Sequence, residues 1–391
     1  MLEVEFLGLK YKNPCLLASA PPTMDGDHIA RGIDAGWGGA VTKTLGLDKD
    51  VFPDVRPRLA INKRGKRLIG MENIELITTK YLDWWVGELK KAKDAGAPLI
   101  VSIMAAYNAE DWQEIARWAE RSGADAVELN LSCPHGTTEK GRGMVLGQNP
   151  EMVEGVCKWV KEVIEIPVIA KLTPNITDIV PAAQAAESGG ADAISAINTV
   201  LGLIGVDIYK AEPTPAVFGI TTYGGNCGPA MRPIGLRIVS QIAKAVDIPI
   251  SGIGGIDSWE NVVEYIMVGA TTTQVCTAVM WSGFDIISKW LPKIEAFMKE
   301  QGYDSIEDMI GVANKNVRTF EELKVDESIV AEVDMDICNM CGKCEVSCRD
   351  AASGSLTEQE GEMINDYEEC IGCGLCMVVC PVDAIQMRSI K

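Results

Sequence analysis

The sequence predicts an α/β chain in two parts, a TIM (β/α)8 barrel followed by a small cysteine-rich α+β domain. Three observations lead there. Along residues 1–300 an amphipathic helical stretch, a Gly-Ala break and a short β-branched run recur. Eight of the 13 cysteines crowd into Cys338–Cys380. Residues 331–391 set twelve Asp/Glu against Lys343, Arg349, Arg388 and Lys391, so −8 of the formal net charge of −19 lies there.

The strand candidates run in order from CLLAS (15–19) through DAGWGGAVTKT (34–44), KDAGAPLIVSI (93–103) and RSGADAVELNLS (121–132). They continue with PVIAKLT (167–173), ESGGADAISAIN (187–198), PISGIGG (249–255) and MVGATTTQVCT (267–277). In the five segments with a Gly-Ala break, 34–44, 93–103, 121–132, 187–198 and 267–277, glycine ends the helix in a left-handed conformation, and the apolar run after it suits a parallel strand covered on both faces. Eight strands alternating with helices indicate the barrel, with a doubly wound sheet as the alternative. Long excursions follow the second strand (46–78) and the sixth (202–232), where they would lie over an active-site mouth. A last barrel helix near 284–300 leads into a connecting segment. The expected organisation is a barrel over 1–300, a connecting segment over 301–333 and a small domain over 334–391.

With 47% apolar and 23% charged residues the chain reads as a soluble globular protein. Its apolar runs fall short of the ~18–20 residues of a membrane span, and MLEVEFLGLKYKN lacks the order of a signal peptide. A cytoplasmic location is expected, with no membrane partner. The negative charge argues against a nucleic-acid partner, which needs a basic surface. In a reducing compartment the cysteines are not disulfides.

Cys338-x2-Cys341-x2-Cys344-x3-Cys348 and Cys370-x2-Cys373-x2-Cys376-x3-Cys380-Pro381 are two copies of the bacterial ferredoxin ligand run. Three thiolates on one tight loop grip three irons of a cubane, and the fourth reaches the other cluster. The expected assignment is one [4Fe–4S] cluster on Cys338, Cys341, Cys344 and Cys380, and a second on Cys370, Cys373, Cys376 and Cys348. The alternative is a pair of zinc sites, which usually take two separated Cys pairs. No proline follows Cys348, and the half-repeat after it is irregular. Two clusters make this part a two-[4Fe–4S] ferredoxin-like domain, an electron wire whose terminus should lie in the barrel.

Lys43 and Lys171 fall at the C-terminal ends of the second and fifth strands, where an amine among apolar residues needs an anion. Each can alternatively snorkel to solvent. Strands seven and eight end in Gly254-Gly255 and Cys276-Thr277, where this fold commonly binds phosphate through backbone N–H groups. With two lysines able to stabilise a negatively charged reduced isoalloxazine, the set suggests FMN, which also links one-electron and hydride chemistry. The segment Glu128-Leu-Asn-Leu-Ser-Cys-Pro-His135 covers strand four and the loop after it. Asn130, Asn198 and Asn108 fall at or just beyond strand ends and offer amide groups to a planar polar ring. Cys133, with a thiol pKa ordinarily near ~8.5, is a candidate general acid, or else an inert buried cysteine. Cys15, Cys157 and Cys227 are expected to be structural, and His28 to lie on the surface.

The barrel resembles the dihydroorotate dehydrogenase superfamily. NLSCPHG, AKLTPNITD (170–178), INTV (197–200), TTYGGNCGPAMRPI (221–234) and the two-cluster domain together are similar to the dihydropyrimidine dehydrogenases over essentially the whole chain. That resemblance implies reduction of uracil and thymine at FMN, with electrons from NAD(P)H by way of FAD and further clusters. It implies that Ser19, Lys43, Lys171, Gly228, Gly254, Gly255, Cys276 and Thr277 bind FMN. Asn108, Asn130, Asn198 and Thr199 would hold the pyrimidine, with Cys133 as proton donor. The sequence departs from the relatives at His135, where cytosolic dihydroorotate dehydrogenases carry Asn, at Cys227, usually Ser, and at Leu201, usually small. No G-x-G-x-x-G opens a helix after a strand, so an NAD(P)H/FAD-binding partner subunit or a ferredoxin is expected, in a homo- or hetero-oligomer. Alternative readings are a reductase of another conjugated cyclic amide or enone, a dihydroorotate dehydrogenase, or a non-catalytic electron-transfer subunit.

Overall fold

The computed structural model describes residues 1–47, 55–135, 141–323 and 328–390. Residues 48–54 of the first expected excursion, Gly136 of the NLSCPHG motif, residues 324–327 of the expected connecting segment and Lys391 lie outside the described residues. The chain divides into two units, Met1–Val317 and Arg318–Lys391.

In the first unit eight parallel strands close into a barrel: β1 (Cys15–Leu17), β2 (Gly39–Val41), β3 (Leu99–Ile103), β4 (Ala126–Asn130), β5 (Val168–Lys171), β6 (Ala193–Ala196), β7 (Ile250–Ile253) and β8 (Thr272–Val275). The helices between and after them are α1 (Gly26–Ala35), α2 (Leu82–Asp94), α3 (Ala109–Arg121), α4 (Pro150–Lys161), α5 (Val180–Ser188), α6 (Arg232–Ile242), α7 (Trp259–Met267) and α8 (Ile286–Gln301). The expected barrel is therefore present. β3 and β4 are buried along their whole length, which is why these strands read as continuous runs rather than as alternating ones. Helix α3 turns Trp112, Ile115, Ala116 and Ala119 inward at helical spacing. The starts of helices are set by side-chain caps: Asp25 accepts from His28 N at α1, and Asn149 from Glu151 N and Met152 N at α4, with Pro150 following. His28 thus lies in α1, half-buried against Asp25 rather than free on the surface.

The two excursions are not separate loops. Leu59–Arg64 and Arg67–Asn73 from the first, and Val200–Gly202 and Gly224–Cys227 from the second, form one antiparallel four-stranded sheet. Glu72 stands opposite Asn226 and its Oε2 accepts from Asn226 Nδ2 at 3.2 Å. Glu72 is fully buried, and burial pushes its carboxyl above the ordinary range despite that bond.

The expected connecting segment is shared between the units. Ile306 and Met309 belong to the barrel's core, and the N–H groups of Gly311 and Ala313 donate to Ile266 O and Met267 O of α7. Apolar anchoring therefore holds residues up to 317 on the barrel, whereas Ile329–Val333 is already a strand of the second unit, paired antiparallel with Ile385–Ser389. In that unit Leu356–Gln359 pairs with Glu362–Asn365, and two helices, Lys343–Ala351 and Leu375–Val379, complete an α+β fold. Its core consists of Ala331, Leu356, Met363 and Ile385 with Cys344, Cys348 and Cys376. Among the described residues no helix is long and apolar enough to cross a membrane.

Candidate functional site

A cavity opens at the C-terminal ends of the barrel strands, bordered by the four-stranded sheet. Ser19, Lys43, Asn130, Cys133, Lys171, Asn198, Thr199, Gly254, Gly255, Cys276 and Thr277 all line it. Chain positions more than two hundred residues apart meet here because parallel strands deliver all their C-terminal ends to one face.

On one wall Thr44 Oγ1 is the hub of a polar chain. It accepts from Asn130 Nδ2 at 2.9 Å and lies 3.1 Å from Ser19 Oγ and 2.9 Å from Ser102 Oγ. Asn130 Oδ1 accepts from Ser132 Oγ at 3.1 Å, and Ser132 Oγ in turn accepts from Asn198 Nδ2 at 2.9 Å. The two asparagines are thus held by one hydroxyl, with fixed amide orientation. Both lysines meet anions: Lys43 Nζ lies 2.9 Å from Glu75 Oε1, with Arg58 Nε 3.6 Å from the other oxygen, and Lys171 Nζ lies 3.3 Å from Glu128 Oε1. Neither snorkels, since both are buried.

Cys133 is 4% exposed, and its Sγ lies 3.9 Å from His135 Nδ1. Burial pushes the thiol up to about 11, against the opposing pull of the His135 backbone and of Lys43 and Lys171. Burial likewise pushes His135 down to about 4, so the imidazole is neutral. The thiol therefore keeps its proton at neutral pH, as a proton donor must.

At the far end of the cavity the backbone must be bare. Gly255 has φ +69°, and a Cβ there would come 2.7 Å from Arg232 N and 2.8 Å from the carbonyl oxygen of Gly228, itself at φ +92°. Gly228 is thus adjacent to the turn without being a lining residue. Gln274 adds a buried side-chain oxygen with no hydrogen-bond partner among the described residues. Two amines, a row of amides, an unpaired acceptor and a glycine-bounded turn fit a ligand with a planar polar ring system and an anionic tail.

Asn108 is not brought to the cavity. It is exposed, and its Oδ1 accepts from Asp111 N at 3.1 Å as the N-cap of α3. Cys227, expected to be structural, lines the cavity; its Sγ bonds Met71 O at 3.3 Å and burial pushes it up to about 11. Thr44, Asn73, Glu75 and Gln274 line the cavity as well, without any motif to mark them beforehand.

In the second unit Cys348, Cys370, Cys373 and Cys376 line one common cavity, so the fourth cysteine of the first run lies with the first three of the second. Cys344 and Cys348 lie on one helix, Cys376 on the other, and Cys380 directly after it. Four thiols around one space suit a cubane, and no histidine lies in the unit to make a mixed zinc set.

Comparison with known proteins agrees with both halves. Residues 1–298 match the family described as dihydroorotate dehydrogenase, and residues 331–387 match a 4Fe-4S dicluster domain. The chain is 37% identical to the NAD-dependent dihydropyrimidine dehydrogenase subunit PreA of Escherichia coli, over 100% of this chain and 96% of that one. It is 36% identical to the chloroplastic dihydropyrimidine dehydrogenase (NADP(+)) of Arabidopsis thaliana, over 82% of this chain and 79% of the relative. To the catalytic subunit of dihydroorotate dehydrogenase B (NAD(+)) of Pyrococcus abyssi it is 41% identical, over 81% of this chain and 100% of the relative. A barrel with this cavity, followed by paired cysteine runs, thus belongs to the dihydroorotate dehydrogenase family of oxidoreductases acting on CH–CH bonds, in a form that carries a 4Fe-4S dicluster domain.

Proposed function

We propose that the protein reduces the 5,6 double bond of uracil or thymine, with FMN in the barrel cavity and two [4Fe–4S] clusters in the second unit. The observation that carries this reading is Cys133: a thiol held protonated by burial in a cavity that also presents two amide side chains fixed by Ser132. An electron relay has no need of a proton donor at that place. Bound FMN would supply the hydride to the ring carbon and couple it to one-electron traffic from the clusters.

Lys43 and Lys171 supply positive charge for the isoalloxazine, Ser19 lines the same cavity 3.1 Å from Thr44, and Gly228, Gly254 and Gly255 give a bare turn for the phosphate, joined by Cys276 and Thr277. Asn130, Asn198 and Thr199 orient the pyrimidine, and Cys133 delivers a proton to the carbon next to the one reduced. Asn108, implied by the resemblance to join them, would have to leave its cap. The iron ligands are Cys338, Cys341, Cys344 and Cys380 for one cluster, and Cys370, Cys373, Cys376 and Cys348 for the other. Electrons would enter from a separate NAD(P)H- and FAD-binding subunit or a ferredoxin, a reading supported by the name of the Escherichia coli relative as a subunit and by the lack of a dinucleotide fingerprint.

Anaerobically isolated protein should carry about one FMN and about eight irons. Given low-potential electrons from a chemical donor, it should reduce uracil or thymine, and it should not oxidise NADH or NADPH alone. Turnover with dihydroorotate or a cyclic enone, and none with any pyrimidine base, would replace the proposed substrate. Stoichiometric zinc without acid-labile sulfide would remove the clusters.

A further inference from the structure

At the floor of the cavity four barrel strands converge on one carboxylate. Glu128 of β4 is fully buried, with Oε1 3.3 Å from Lys171 Nζ of β5. Its Oε2 accepts from Ser195 Oγ of β6 at 2.8 Å and from Gln274 Nε2 of β8 at 3.1 Å. A carboxylate only accepts, so it dictates which end of the Gln274 amide faces it. The nitrogen is taken by Glu128 and Oε1 is left over. Gln274 is 1% exposed, lines the cavity, and its Oε1 has no hydrogen-bond partner among the described residues. Native interiors rarely leave an acceptor in that state unless a ligand, an ion or a water fills it, and this one faces the cavity.

We propose that Glu128 is a positioning residue that sets an ammonium donor and an amide acceptor next to each other, and that this pair is a subsite for a cyclic imide edge. Lys171 donates to the ring carbonyl oxygen, and Gln274 Oε1 accepts from the adjoining ring N–H. The inference rests on the proposed function, because the edge –C(=O)–NH– occurs in both the pyrimidine portion of the flavin and the uracil ring. Two features make the match specific. The donor and acceptor are tied to the same carboxylate, so their spacing is fixed before a ligand arrives, and a ring methylated at that nitrogen has nothing to give Oε1.

The test uses the full chain. Apoprotein is titrated with FMN and with N3-methyl-FMN, and the reconstituted holoenzyme is assayed with uracil and 3-methyluracil. If the edge is the flavin's, wild type binds FMN about 10- to 100-fold more tightly than its methylated form, and Gln274→Leu brings the ratio to about one by weakening FMN alone. If the edge is the substrate's, the flavin ratio is near one and a preference of that size appears instead in KM for the two uracils, again lost in Gln274→Leu. Equal treatment of methylated and unmethylated forms of both rings overturns the subsite, and the wild-type ratios decide this even if the variant does not fold.

Glu128→Gln, whose amide can donate as well as accept, should let the Gln274 amide turn over. It should lower the same ratio with Gln274 intact and move the flavin midpoint potential in the positive direction, since Lys171 loses its counter-charge. A variant that folds with ratio and potential unchanged overturns the positioning role. Failure to take up FMN at all would reject the proposed function and this inference with it, whereas FMN uptake without methyl discrimination on either ring rejects the subsite alone.

Discussion

In the barrel, Cys133 and Cys227 are pushed up to about 11 and Cys276 to about 12, chiefly because burial disfavours a thiolate. In the second unit burial also acts on Cys348 and Cys370 but is outweighed. The Leu356 and Gly354 backbone and the Ser355 and Ser353 hydroxyls draw Cys348 below its ordinary value, and Asn365, the Ala331 and Gly372 backbone and Ser355 do the same for Cys370. Their neighbours Cys344 and Cys376 are raised, first by burial and then by the nearby cysteines of their own runs. Under the proposed function one residue type meets opposite demands: a proton kept on Cys133 in the barrel, and thiols in the second unit, Cys348 and Cys370 drawn down and Cys344 and Cys376 held up, that give theirs up when a cation offsets the repulsion. On that reading environment rather than identity separates acid from ligand.

The largest expected effect breaks the two units apart. Among the described residues the second unit buries only Val330, Ala331, Leu356, Met363, Ala384 and Ile385 besides its cysteines, too few to hold some seventy residues without a staple. Stripping iron should abolish amide protection across residues 329–389 while the barrel strands stay protected. Hydrogen exchange measures this, and full protection in the iron-free protein would show that the clusters are not structural.

Next comes Cys133→Ala, which should slow ring reduction by ~10²–10⁴-fold, the usual contribution of a positioned acid, with flavin and iron content unchanged. Undiminished turnover would move the proton donor elsewhere. A pH profile sharpens the same point. The acid works only while protonated, so with the thiol at about 11 the rate should be flat through neutral pH and fall only as pH approaches that value. An ordinary thiol would begin to fail near ~8.5. His135, pushed down to about 4, should add no limb above pH 5 or so. An alkaline limb near 8.5 would show that Cys133 is not desolvated.

Two smaller effects concern backbone. Gly255→Ala places a Cβ against Arg232 N and Gly228 O at positive φ and should cost about 1–3 kcal/mol, measured by thermal unfolding, with weaker FMN binding. Asn108→Ala should lower stability by about 1 kcal/mol through loss of the α3 cap, while Asn108→Asp keeps it. Any rise in KM that persists in the Asp variant therefore belongs to ring binding and not to the cap.

The same contrast governs what could be read from sequence. The cluster ligands sit three and four residues apart, so spacing alone announces them. Barrel strands were legible because each is short and apolar and five of the eight follow a glycine break, and Lys43, Asn130 and Lys171 because polar residues at such strand ends are costly. Gln274, Glu75 and Thr44 were not legible, since their importance lies in partners from other strands. Glu128 was visible as part of a motif, but not as the anchor of three side chains. The two excursions looked like independent loops because their strands carry glycine, asparagine and charge, and what makes them strands is each other.

That last pairing has a consequence for the order in which the molecule is made. Glu72 and Asn226 are 154 residues apart, and the sheet they join cannot form until six of the eight strands have been synthesised and brought round. Closing so long a loop is entropically slow compared with local strand–helix pairing. The mouth should therefore be completed late in refolding, after a barrel open at that end has had time to admit its cofactor. Pulse-labelled exchange would then show Glu72 and Cys227 amides protected after those of β3 and β4, and a cofactor supplied early would be enclosed rather than excluded by the final step.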